Sequence, residues 1–128
     1  MADDEPSVSW EIEAIPDADE VYMRAHRTHF TPKGELRPGV FRDQGAGMSA
    51  DWSKYATPEE TRARAKTPAD NAVLALGVGA VRAVESLTVV HEPLVEDANR
   101  SHTEVFGTKT EEVRLKLLRL HRRAIDLG

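Results

Sequence analysis

Apolar and polar residues alternate with period two in several stretches of this chain. Alternation of that kind places successive side chains on opposite faces of a strand. Between Ser7 and Ala14, Val8, Trp10 and Ile12 are separated by Ser9, Glu11 and Glu13, which predicts a half-buried strand exposing the two glutamates. Between Glu20 and His26 the pattern is cleaner: Val21, Met23 and Ala25 face one way, Tyr22, Arg24 and His26 the other. Val40 to Arg42 reads as a short strand. Ala72 to Leu76 is apolar throughout and ends at Gly77, which marks the most buried strand. Ser86 to His91 and Asn99 to Phe106 complete the predicted strands. Met48 to Tyr55 is not assigned to helix or strand. Ser49 and Asp51, beside Gly45 and Gly47, read as turn residues, with pocket lining as the alternative.

Helical signals are fewer and sharper. Thr57, Pro58 and Glu60 form an N-cap, an N1 proline and the third member of a capping box, so a short helix runs to about Ala65 and stops at Thr67-Pro68. Val78 to Val84 is a short helix or turn packing on the apolar strand. Thr108 and Glu111 form a second capping box. It opens a helix predicted to about Leu127, with Val113, Leu117, Leu120 and Ala124 as its apolar seam, widened by Leu118 and Ile125. The sum is an α+β domain: a small, mostly antiparallel sheet with a short capped helix and a C-terminal amphipathic helix on one face. Residues 1–19 are an acidic leader, expected to be partly disordered, and residues 20–128 a single domain.

Charge supports that division. The net charge of −5 over 128 residues hides an asymmetry. Residues 1–20 hold eight acids and no Lys or Arg, leaving 14 acids against all 17 bases in residues 21–128, a balance of +3. The leader is an interaction tail, a cover for a basic surface, or simply solvated. There is no cysteine, hence neither a disulfide framework nor a cysteine zinc site. No signal peptide and no membrane-length apolar run is visible, so the expectation is a cytoplasmic protein that does not enter a membrane.

The candidate chemistry lies in a tripeptide, Arg-x-His, present at Arg24–His26, Arg27–His29 and Arg100–His102. Arginine and histidine on one strand face make a site for phosphate or carboxylate: the guanidinium offers paired donors, and the imidazole donates or accepts. The candidate ligand-binding set is therefore Tyr22, Arg24, His26, Arg100 and His102, with His26 or His102 as general acid or base if there is catalysis. No cofactor is expected. Zinc is disfavoured, because His26 and His29 would point to opposite faces of a strand, and His91, in phase with Leu87 and Val89, belongs to the core edge. Gly77-Val78-Gly79 lacks the third glycine of a dinucleotide loop. The basic residues of the last helix have no aromatic stacking partners.

His26-Arg27-Thr28 resembles one half of the paired motifs of two-histidine phosphoesterases. Neither His91-Glu92-Pro93 nor His102-Thr103-Glu104 supplies the second half, so that match fails. The run from Met48 to Glu60, with Asn99-Arg100-Ser101-His102 downstream, resembles a group of small bacterial proteins described as hypothetical. The resemblance spans about residues 20–125 and implies a bacterial origin without implying chemistry. Three functions fit the sequence: a module binding a nucleotide or nucleic-acid phosphate, a protein-interaction subunit using the C-terminal helix or acidic leader, and a metal-independent His-dependent hydrolase or transferase.

Overall fold

The alternation over Glu20–His26 builds β1, and the rest of the sheet assembles around it. The computed structural model describes residues 10–85 and 87–127. The strands are β1 (Glu20–His26), β2 (Met48–Trp52), β3 (Asn71–Gly77), β4 (Thr88–His91), β5 (His102–Phe106) and β6 (Arg122–Ile125). They form one sheet in the order β4-β5-β2-β1-β3-β6, with every neighbouring pair antiparallel. The helices are α1 (Pro58–Ala63), α2 (Val78–Arg82) and α3 (Glu111–Leu120). The fold is α+β, as predicted.

Period-two alternation sorts the two faces of the sheet. Val21, Met23, Ala25, Met48, Ala50, Trp52, Leu74, Leu76, Val89 and Val105 face the core. There they meet Val78 and Val81 of α2, Val113 and Leu117 of α3, and Phe30, Leu36, Val40 and Phe41 from the connection after β1. On the opposite face α1 covers β3, whose Asn71, Val73 and Ala75 are buried, so β3 is enclosed on both sides. The capping box of α1 forms as expected: Thr57 Oγ1 accepts from the Glu60 N–H, and Glu60 Oε1 accepts from the Thr57 N–H. Among the described residues, no helix is long and apolar enough to cross a membrane.

Four expectations are corrected. The predicted helix to Leu127 ends at Leu120, and Arg122–Ile125 turns into a strand on the free edge of β3. Its cap is Thr110, which accepts from the Val113 N–H, rather than Thr108. Val40 closes a 3-10 turn over Pro38–Val40 instead of starting a strand. Trp10 to Ala14 joins no strand, and Ile12 is 70% exposed. Val8 lies outside the described residues. Of the acidic leader, residues 10–19 pack on the body: Ile15 is buried, its carbonyl accepts from Arg82, and Asp19 accepts from the Trp52 indole.

Candidate functional site

β1 and β2 are the two central strands, yet they pair at only two positions, Val21 with Trp52 and Tyr22 with Asp51. Beyond Tyr22 they separate. β1 continues pairing with β3 as far as His26 opposite Asn71, and β2 continues pairing with β5 back to Met48 opposite Val105. A cleft of about 310 Å3 opens at this split, lined by Tyr22, Arg24, Ser49, Asp51, Thr61 and His102, together with Gln44 and Leu94. A second hollow adjoins it between Arg24, Arg64 and Asp97.

The floor is Asp51, 4% exposed. One carboxylate oxygen accepts from Asn99 Nδ2 at 3.0 Å, the other from Thr61 Oγ1 at 2.8 Å, with Arg64 Nε 3.9 Å away. Asp51 thereby ties α1 and the turn before β5 to β2. Arg24 donates through Nη1 to the Thr61 carbonyl at 3.2 Å and is otherwise exposed at the cleft mouth. Burial holds the Tyr22 phenol above its ordinary pKa of 10.0, with Glu20 adding to the effect, so the hydroxyl keeps its proton. His102 Nε2 and Ser49 Oγ both bond the same oxygen of Glu104, at 2.5 and 3.3 Å. The carboxylate thus stands between serine and histidine. A Ser–His–acid relay needs the histidine in the middle, so Ser49 is not activated by His102 here. Gly47 permits this packing, because a Cβ there would lie 2.7 Å from Glu104 Oε1.

Three of the five predicted ligand residues, Tyr22, Arg24 and His102, meet in the cleft. The other two do not. His26 shares the face of Arg24 but sits four residues along β1 from Tyr22, which lies in the row of Asp51 and His102. Strand spacing puts its Cα about 16 Å from that of His102. One phosphate cannot bridge that distance, and the two histidines cannot act on one reacting centre. The His26 Nδ1 is engaged with Thr28 in the 3-10 turn Arg27–His29. Arg27 pairs with Asp70, and burial, with Arg42 and His26 nearby, lowers the His29 pKa from its ordinary 6.5.

Arg100 leaves the cleft altogether. Its guanidinium lies over the Tyr55 ring at 4.3 Å and 3.7 Å from Glu13. Glu13 is held there by Lys54 Nζ at 2.7 Å and the Tyr55 hydroxyl at 2.5 Å. These contacts clamp the 10–19 segment to the body. The Lys54 and Tyr55 bonds lower the Glu13 pKa below its ordinary 4.5, and the Glu13 bond raises that of Lys54 above 10.5. A carboxyl lowered on folding contributes stability above its ordinary pKa, lost as pH falls. An amine raised on folding contributes below its ordinary pKa, lost as pH rises. The clamp is therefore expected to hold between about pH 4.5 and 10.5 and to loosen outside that window. Tryptophan fluorescence followed across acid pH should show a transition that Glu13→Gln removes. An identical transition in that variant would assign it to other groups.

Among the described residues, no three or more His, Asp or Glu side chains converge as a metal site. Thr61 was missed in the sequence, while Ser49 and Asp51, read first as turn residues with pocket lining as the alternative, stand in β2 and line the cleft. The alternation of Ser49 and Asp51 between apolar Met48, Ala50 and Trp52 was the available signal. Leu115 and Leu120 of α3 are partly exposed, and Leu120 borders a shallow groove with Ala80 and Val84, flanked by Lys116 and Arg119. No family model, curated protein or solved structure matches this chain.

Proposed function

We propose that this chain is a small binding module whose sheet cleft receives the anionic group, phosphate or carboxylate, of a metabolite-sized ligand. The observation that carries this reading is Arg24. It stands at the mouth of a concave site, and among the described residues its guanidinium makes a single hydrogen bond, through Nη1 to Thr61. The planar fork keeps further donors for a second acceptor. Tyr22 adds a hydroxyl that stays protonated from the β1 side, and His102 a ring from the β5 side.

Size and lining favour a small ligand over a nucleic-acid strand. About 310 Å3 lies at the lower end of small-molecule sites. Tyr22 is the one Phe, Trp or Tyr of the lining, so the cleft offers no row of aromatic rings on which successive bases would stack. The resemblance to small bacterial proteins adds an expected source and no chemistry.

The test is a titration of the labelled protein with inorganic phosphate, succinate and AMP, followed by amide chemical shifts. At least one should move the Tyr22, Arg24 and Ser49 amides. Arg24→Gln should weaken it about tenfold or more, the worth of one charge-assisted hydrogen bond. His26→Ala and Arg100→Ala should bind as the parent does. Failure of all three anions to bind, or unchanged binding by Arg24→Gln, overturns the reading.

A further inference from the structure

The split between β1 and β2 removes one rung of the sheet, and the phase of the ladder identifies its missing groups. Val78 N–H donates to the Asp19 carbonyl, so odd-numbered residues of β1 bond toward β3. Ser53 N–H donates to the Glu20 carbonyl, so even-numbered residues bond toward β2. Trp52 N–H donates to the Ser101 carbonyl, which turns even residues of β2 toward β5 and odd ones toward β1. After Tyr22 opposite Asp51, the next bonded pair would be Arg24 opposite Ser49, and it is not made.

This is not the fraying of an edge. Both strands run on, each held on its outer side, by β3 and β5. The backbone N–H and C=O of Arg24 and the C=O of Ser49 therefore point into the opening. The Ser49 N–H is already taken by Gln44 Oε1 at 2.8 Å. A ligand held between the strands is recognised by pairing the two Arg24 groups, with a donor for its C=O and an acceptor for its N–H.

We infer that the ligand completes this rung, and that it carries an extended amide beside its carboxylate: an N-acylated amino acid, or the C-terminal residue of a peptide. The inference rests on the anion reading above and narrows it. Inorganic phosphate at neutral pH is chiefly an acceptor, and would match the Arg24 N–H better than the Arg24 carbonyl. An extended amino-acid residue offers an N–H and a C=O on one edge, the pairing used when a peptide adds to a sheet. Arg24 supplies both halves of the recognition: its carbonyl accepts from the ligand's amide N–H, its own N–H donates to one carboxylate oxygen, which is the C=O on that edge of a C-terminal residue, and its guanidinium takes the other oxygen. An acetylated amino acid is also of a size to enter a cleft of about 310 Å3.

The experiment compares N-acetylalanine with O-acetyl-lactate, which keeps the carboxylate and shape but replaces the amide N–H by an ester oxygen. N-acetylalanine should bind about five- to tenfold more tightly, the difference of one hydrogen bond. It should also slow hydrogen exchange of the Arg24 amide. Equal affinity of the two, with both weakened in Arg24→Gln, would overturn the rung assignment and leave the anion reading standing. Binding of neither these two nor any of phosphate, succinate and AMP would overturn both. N-acetyl-Ala-Ala separates the two sources. Tighter binding than N-acetylalanine assigns the site to peptide C-termini, and weaker binding to free acylated amino acids; the amide contact itself is decided by the ester comparison.

Discussion

His91→Ala should lower the free energy of unfolding by about 3–4 kcal/mol, measured by urea denaturation. The ring is 1% exposed, and its Nδ1 accepts from the Glu13 N–H at 3.0 Å. That leaves the Nε2 proton to meet the Arg100 carbonyl at 2.6 Å, so a neutral tautomer is selected by its two partners. The ring also stacks on Tyr55 at 6.1 Å and meets Trp52 edge-on at 5.1 Å. Alanine removes this packing and leaves a cavity. It also strips a partner from an N–H in the 10–19 segment and from a carbonyl in the turn before β5. His91→Gln keeps an acceptor and a donor and should lose roughly half as much. A loss below about 0.5 kcal/mol in His91→Ala would mean that neither bond nor cavity matters there.

The position of His91 was readable because it falls in phase with Leu87 and Val89, and the strand period places all three inward. The same physics made β1 legible: Val21, Met23 and Ala25 can be buried together only as a strand. The cap of α1 was legible because Thr57, Pro58 and Glu60 act within one turn and need no distant partner.

What lay hidden depends on pairing between distant segments. Leu118, Arg119 and Leu120 are good helix formers, and nothing local announces the end of α3. The free edge of β3 takes Arg122–Ile125 as a strand, and that gain outweighs helix propensity. Ser49 and Asp51 looked like turn residues because of Gly45 and Gly47. Gly47 instead makes room for Glu104 and Phe106, beside a strand paired on both sides near Asp51. Arg100 could be placed with His102 only by assuming extended backbone between them. The preceding turn, closed by Leu94 against Asn99 with Ala98 at φ 50°, sends its side chain to Tyr55 instead. The open rung has no sequence signature, since Arg24 and Ser49 would look the same paired.

Asp51→Ala should cost about 3–5 kcal/mol, the sum of two hydrogen bonds to a charged acceptor at about 1.5–3 kcal/mol each. Thr61 is 1% exposed and Asn99 6%, so neither donor can turn to bulk water when the carboxylate is gone. The loss extends to the cleft, because the two bonds hold α1 and the turn before β5 on either side of β2. Asp51→Asn keeps one acceptor oxygen, and the Thr61 hydroxyl can rotate to accept from its amide, so a smaller loss of about 1–2 kcal/mol is expected. A thermodynamic cycle tests the assignment directly. Thr61→Val in the parent chain should cost about 1–2 kcal/mol, since it leaves a buried carboxylate oxygen short of a donor. In an Asp51→Ala background that bond no longer exists, and the same substitution should cost little or should stabilise by burying an apolar group. Equal costs in both backgrounds would show that Thr61 and Asp51 are not energetically coupled. The cleft would then owe its shape to the packing of α1 on β3 rather than to the carboxylate beneath it.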